Sequence, residues 1–111
     1  MQKDFRTAWL LLLLRDGSSY GYELRRELDV RSTDLDPAVM YRTLRDMEQK
    51  GFITSQWMRS DAGPKRRVYD ITEAGRDELA RIAAVIRGMR DAHSDFLAAV
   101  ERRAASHAPR A

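Results

Sequence analysis

Arg42 and Arg45 carry the most specific chemistry that can be read from these 111 residues. With Ala38, Tyr41 and Gln49 they fall on one side of a helical wheel whose other side holds Met40, Leu44 and Met47. A planar guanidinium matches the two acceptors of a guanine edge, a phenol reaches a phosphate or a thymine methyl, and a small residue lets the backbone approach. Apolar on one side and hydrogen-bonding on the other is the division needed by a helix that is fixed to a domain and enters the major groove. Arginines on an exposed helix face serve equally well only to solvate it, so a second feature has to decide. That feature is Lys65-Arg66-Arg67, directly after Gly63-Pro64. From Arg59 to Arg67 four basic side chains stand against one acid, a net of +3 that equals the net charge of +3 of the entire chain. Cations on a projecting loop track a phosphate backbone or a minor groove.

A third cluster, Ser18, Ser19, Tyr20 and Tyr22, stands at the start of another helix, where free backbone donors favour an anion. Ser19 and Tyr22 are therefore added to the candidate nucleic-acid contacts. The competing reading makes one serine a helix cap and Tyr20 a core residue, and both are expected here.

The elements that must position these residues can be read from caps and periodicity. Asp4 to Arg15 is apolar on nearly all faces and predicts a helix buried on most sides, part of it by a partner chain. Asp16-Gly17-Ser18-Ser19 reads as a turn and cap, and Tyr20, Leu24 and Leu28 stack along a second helix over about residues 20–28. Asp36-Pro37 opens a third helix, with a side-chain acceptor at the cap and a proline where its missing N–H costs nothing. Lys50-Gly51 closes it. Residues 52–59 and 67–71 are rich in β-branched and aromatic types and predict a hairpin around Gly63-Pro64. Thr72 then caps a long last helix, with Glu73 in its first turn.

The fold class expected is mainly α with a small β-hairpin: a winged helix-turn-helix over residues 1–75, a dimerisation helix over 76–105, and a disordered tail over 106–111. In the last helix Leu79, Ile82, Ile86, Met89, His93, Phe96 and Val100 alternate at spacings of three and four, a heptad seam that one small domain can hardly cover. A homodimer follows, with Phe5, Trp9 and Leu12 of the first helix sharing the interface. Intramolecular packing on the first helix competes for the same seam, and both can hold. His93, in the seam between Asp91 and Asp95, reads as structural rather than as a pH sensor or metal ligand, and His107 lies in the tail.

Several classes are disfavoured. There are 20 Lys and Arg against 17 Asp and Glu, so overall charge is weak evidence either way. No cysteine means no disulfide, thiolate metal site or thiol redox sensor, and fits a reducing cytosol. No glycine-rich phosphate loop, paired histidines or serine with an evident base is present, so no catalytic residue, metal or cofactor is expected. The apolar run from Ala8 to Leu14 is too short to span a bilayer and no small-residue cleavage site follows it, so a cytoplasmic protein without a membrane partner is expected.

Three stretches carry a family likeness. Ser19-Tyr20-Gly21-Tyr22-Glu23-Leu24, then Met40-Tyr41-Arg42-Thr43-Leu44 leading to Glu48-Gln49-Lys50-Gly51-Phe52-Ile53, then Arg67-Val68-Tyr69-Asp70-Ile71-Thr72-Glu73-Ala74-Gly75 resemble the PadR family of transcriptional regulators, from about Phe5 to Leu97. The resemblance, to the branch with a single C-terminal helix, implies a dimer held by the first and last helices. It also implies a palindromic double-stranded DNA operator, repression of a neighbouring gene or its own, and release by a small apolar or aromatic effector near the dimer interface. Members that bind drugs use an aromatic platform on the last helix, where this chain offers only Phe96, with Trp9 as a second ring. The competing function is a winged helix used for protein docking, with Tyr41 and Arg42 meeting an acidic partner.

Overall fold

The computed structural model describes residues 3–30, 36–59 and 63–106. In chain order the elements are α1 (Lys3–Arg15), β1 (Ser19–Tyr20), α2 (Gly21–Val30), α3 (Pro37–Gln49), β2 (Ile53–Met58), β3 (Arg66–Ile71) and α4 (Glu73–Ser106).

Helices bounded by strong local signals form where expected. The Asp36 carboxylate accepts from the Ala38 amide at 2.8 Å, and Pro37 takes the first helical position of α3. At the other end the Gly51 amide donates to the Glu48 carbonyl (3.0 Å) and the Phe52 amide to the Met47 carbonyl (2.9 Å). This paired capping pattern needs a left-handed residue, and Gly51 supplies it with φ of 80°. The Thr72 hydroxyl accepts from the Gly75 amide at 3.0 Å, capping α4, and donates to the Gly51 carbonyl at 2.6 Å. One threonine thus joins the end of α3 to the start of α4.

The turn after α1 departs from expectation. Ser19 and Tyr20 do not begin a helix; they form β1, which pairs antiparallel with β3 through Ser19↔Tyr69 and Tyr20↔Val68. The sheet therefore has three strands, in the order β1-β3-β2, and the hairpin is its β2–β3 part. The Ser19 hydroxyl donates to the Tyr20 carbonyl (3.3 Å) instead of capping α2. Tyr20 is only half-buried, because residues 68 and 20 share the sheet face turned away from the core.

The core lies where α1 crosses the other elements. Leu10, Leu11 and Leu14 of α1 meet Leu24 and Leu28 of α2, Met40, Leu44 and Met47 of α3, and Ile53, Tyr69 and Ile71 of the sheet. Gly75 seats the start of α4 against this block: a methyl group there would come within 2.1 Å of the Phe52 carbonyl oxygen. Beyond the first turn, Ile82 is the sole buried residue of α4. The helix runs for 34 residues, about 51 Å at 1.5 Å per residue, and its distal half projects from the body. Helix α4 continues through Ser106, which the sequence assigned to a disordered tail, and residues 107–111, His107 included, lie outside the described residues.

Candidate nucleic-acid interface

Helix α3 divides as its periodicity requires. Met40, Thr43, Leu44 and Met47 are buried, while Ala38, Tyr41, Arg42, Arg45 and Gln49 are all exposed. Thr43 satisfies its hydroxyl by donating to the Val39 carbonyl at 2.8 Å, so it asks nothing of the core. The exposed side presents two guanidinium groups, a phenol and an amide along about three turns.

The start of α2 abuts this face. Gly21 is buried, and a methyl group there would lie 2.8 Å from Cε1 of Tyr41. The absence of a side chain at Gly21 is what lets the Tyr41 ring lie across α2. Tyr22 is 53% exposed; Arg26, one turn on, lies over its ring at 5.8 Å and donates to its hydroxyl at 3.1 Å. Ser19 is held in the β1–β3 ladder, half-buried, two residues before the first residue of α2.

The three consecutive cations of the wing have different surroundings. Lys65 is exposed. Arg66 lies over the Tyr20 ring at 5.5 Å. Arg67 is turned back towards α3: its Nε donates to Ser55 Oγ at 2.8 Å, its Nη2 lies 3.4 Å from Glu48 Oε2, and its guanidinium covers the Trp57 ring at 5.4 Å. Ser55 in turn donates to Glu48 Oε1. Alternation decides this, since Trp57↔Arg67 and Ser55↔Tyr69 are cross-strand pairs on the face that looks at α3, whereas Arg66 starts from the opposite face and lies over the Tyr20 ring at the groove's edge. Burial raises the Tyr69 pKa above the ordinary phenol range, with Arg67 pulling in the opposite direction, so the hydroxyl stays a proton donor.

Together these residues enclose an open groove of about 670 Å³ between α3 and the wing, lined by Tyr20, Gly21, Tyr22, Tyr41, Trp57, Arg66, Arg67 and Tyr69. Sequence reasoning missed Trp57, Glu48 and Ser55. The period-2 pattern of β2 placed Ser55 and Trp57 on one face, but only pairing with β3 reveals what stands opposite them.

A second groove, of about 340 Å³, lies between α1 and α4, where Phe5, Trp9 and Leu12 face Leu79, Ile82 and Ile86. Phe5 and Trp9 meet edge to face at 6.3 Å. Further along the seam Met89, Phe96 and Val100 are 51%, 66% and 46% exposed, and His93 is exposed too. Phe96 stands fourteen residues beyond Ile82, about 21 Å along the helix, so within one chain Phe96 and Trp9 do not line a common cavity. Among the described residues no group of three His, Cys, Asp or Glu side chains could hold a metal ion, and no helix is long and apolar enough to cross a membrane.

Comparison with known proteins agrees with this geometry. Residues 10–81 match the family described as the transcriptional regulator PadR-like family. Over an alignment of 75 positions, which covers 65% of this chain and 40% of the relative's length, the chain is 36% identical to the Mycobacterium tuberculosis protein named "Probable transcriptional regulator Rv1176c". A PadR family transcription regulator from Clostridium difficile superposes with a TM-score of 0.77 at 28% identity, over 84% of this chain and 98% of that one. Bacillus subtilis PadR, solved in complex with operator DNA, superposes with a TM-score of 0.62 at 23% identity, over 68% of this chain and 44% of that one, a likeness of fold. The chain belongs to the PadR-like family of transcriptional regulators.

Proposed function

We propose that this protein is a sequence-specific transcriptional regulator that binds a palindromic double-stranded DNA operator as a homodimer and represses transcription. The observation that carries the reading is the exposed face of α3, where Tyr41, Arg42, Arg45 and Gln49 stand beside the cationic wing. Arg42 and Arg45 read base edges in the major groove; Ala38, Tyr41, Tyr22, Lys65 and Arg66 hold the backbone. Ser19, held in the β1–β3 ladder, and Arg67, turned towards Ser55 and Glu48, support that face from the sheet. The family and the operator complex of the Bacillus subtilis relative favour DNA over a protein partner.

Residues 1–75 form the DNA-binding unit and 76–105 the dimerisation helix. The exposed seam from Ile86 to Val100 and the groove beside Phe5, Trp9 and Leu12 are covered by a second copy. A small apolar effector enters that interface, with Trp9 and Phe96 as the candidate rings that meet it. The protein works in the cytoplasm, without a cofactor.

Selection of bound sequences from random duplexes tests the reading. The expected outcome is a palindrome with half-sites about one helical turn apart, bound with a steep salt dependence. Arg42→Ala or Arg45→Ala then costs ~1–3 kcal/mol and relaxes specificity at one position of each half-site. Recovery of no consensus sequence would refute it.

A further inference from the structure

Trp57 is 61% exposed near the end of β2, a large apolar surface left in water beside Met58, which is 45% exposed. Its ring does not hang free. The Arg67 guanidinium lies 5.4 Å from the ring centroid and is itself held by Ser55 at 2.8 Å and Glu48 at 3.4 Å. A chain of contacts therefore runs from α3 through Glu48 and Arg67 to the indole, and fixes the ring relative to the helix that carries Arg42 and Arg45. The indole borders the open groove of about 670 Å³ between α3 and the wing, whose other walls include Tyr20, Tyr22, Tyr41 and Arg66.

We infer that this groove seats one sugar–phosphate strand of duplex DNA, with Trp57 as a contact residue against that strand and Arg67 as the positioning residue that holds the indole in place. The inference rests on the DNA-binding reading above and names a residue and a role that the reading does not require. Its chemistry is that of a sequence-independent backbone clamp. An indole has one flat apolar face to lay on deoxyribose and one N–H to donate to a phosphate oxygen. The tyrosine hydroxyls are further donors, and Arg66 supplies positive charge. Arg67 differs from Lys65 and Arg66 in kind. Its charge already faces the Glu48 carboxylate, so it has little left to neutralise a phosphate.

The full-length protein labelled with 5-fluorotryptophan offers a direct test. Its two tryptophans give two fluorine resonances, and the one missing from Trp57→Phe belongs to Trp57. That resonance shifts on adding a duplex of mixed sequence. In anisotropy titrations with a labelled duplex, Trp57→Ala weakens binding about tenfold for every sequence alike, as expected for loss of an interfacial aromatic. The slope of log K against log salt stays at the wild-type value, since no charge is removed, whereas Lys65→Ala lowers it by about one. Trp57→Phe recovers most of the affinity, and Arg67→Ala combined with Trp57→Ala loses no more than Trp57→Ala alone. A duplex that binds while the Trp57 resonance stays still and Trp57→Ala keeps wild-type affinity overturns this inference and leaves the DNA-binding reading standing. Failure of the wild-type protein to bind any duplex at low ionic strength removes both.

Discussion

Gly75 is the position at which one methyl group should cost the most. An alanine Cβ there would lie 2.1 Å from the Phe52 carbonyl oxygen, 2.8 Å from Cγ1 of Ile71 and 3.0 Å from the Phe52 carbonyl carbon. Two of those three atoms are backbone, so no rotamer change relieves the clash; the first turn of α4 has to move away from Phe52. Overpacking of this kind costs ~1–3 kcal/mol. The same Phe52 carbonyl accepts the Thr72 amide at 3.0 Å, and breaking that bond adds about 1 kcal/mol. The gain from replacing a helical glycine returns at most about 1 kcal/mol. Gly75→Ala is therefore expected to destabilise by about 1–3 kcal/mol. Gly88, thirteen residues further along the same helix, is the built-in control. Nothing lies within 4 Å of a Cβ placed there, and Gly88→Ala should stabilise by about 0.5–1 kcal/mol. Urea unfolding followed by circular dichroism, at matched protein concentration because dimerisation contributes, reads both. A Gly75→Ala midpoint within error of wild type would refute the packing argument.

Three further outcomes are expected. Gly21→Ala should separate stability from function: its Cβ would meet only the far end of the Tyr41 side chain, at 2.8 and 3.0 Å, so the ring swings aside and unfolding changes by under about 1 kcal/mol. DNA affinity should fall all the same, and unchanged affinity would show that Tyr41 makes no contact. Phe96→Asp should leave the fold intact and shift the protein to monomer in sedimentation velocity, since it places a charge at the 66%-exposed position that a second copy covers; a wild-type protein that sediments as a monomer at micromolar concentration defeats the dimer itself. The Glu78 carboxyl is held below its ordinary pKa chiefly by the hydrogen bonds from Arg81, at 2.6 and 3.1 Å, against an opposing effect of burial. A folded-state pKa below the unfolded value contributes stability above the unfolded pKa, and that contribution is lost as pH falls through the carboxylate range. Because Arg81 is 56% exposed, the effect is no more than about 1 kcal/mol, and Glu78→Gln should flatten the acid limb of the stability profile by that amount. An acid limb that is unaltered would assign the pair no role.

Much of the site was legible in the chain because its signals are local. The wheel of α3 needs only a 3.6-residue period, and Asp36-Pro37, Lys50-Gly51 and Thr72 cap helices through hydrogen bonds to residues at most five positions away. Such features are written within one turn of where they act. The unburied seam of α4 is of the same kind, since Ile86, Met89, Phe96 and Val100 follow one another at heptad spacing and are all exposed.

Tertiary structure alone decided the rest. That Ser19 and Tyr20 are a strand depends on β3, some fifty residues on, offering an unpaired edge. That Arg67 turns away from the wing tip while Arg66 lies over Tyr20 depends on the register of β2 with β3 and on a carboxylate delivered by α3. Glycines 75 and 88 sit in one helix, yet one is pressed against the Phe52 carbonyl and a Cβ on the other would meet nothing within 4 Å. Contacts across the chain are fixed by which surfaces the core brings together, and neither residue type nor spacing encodes them.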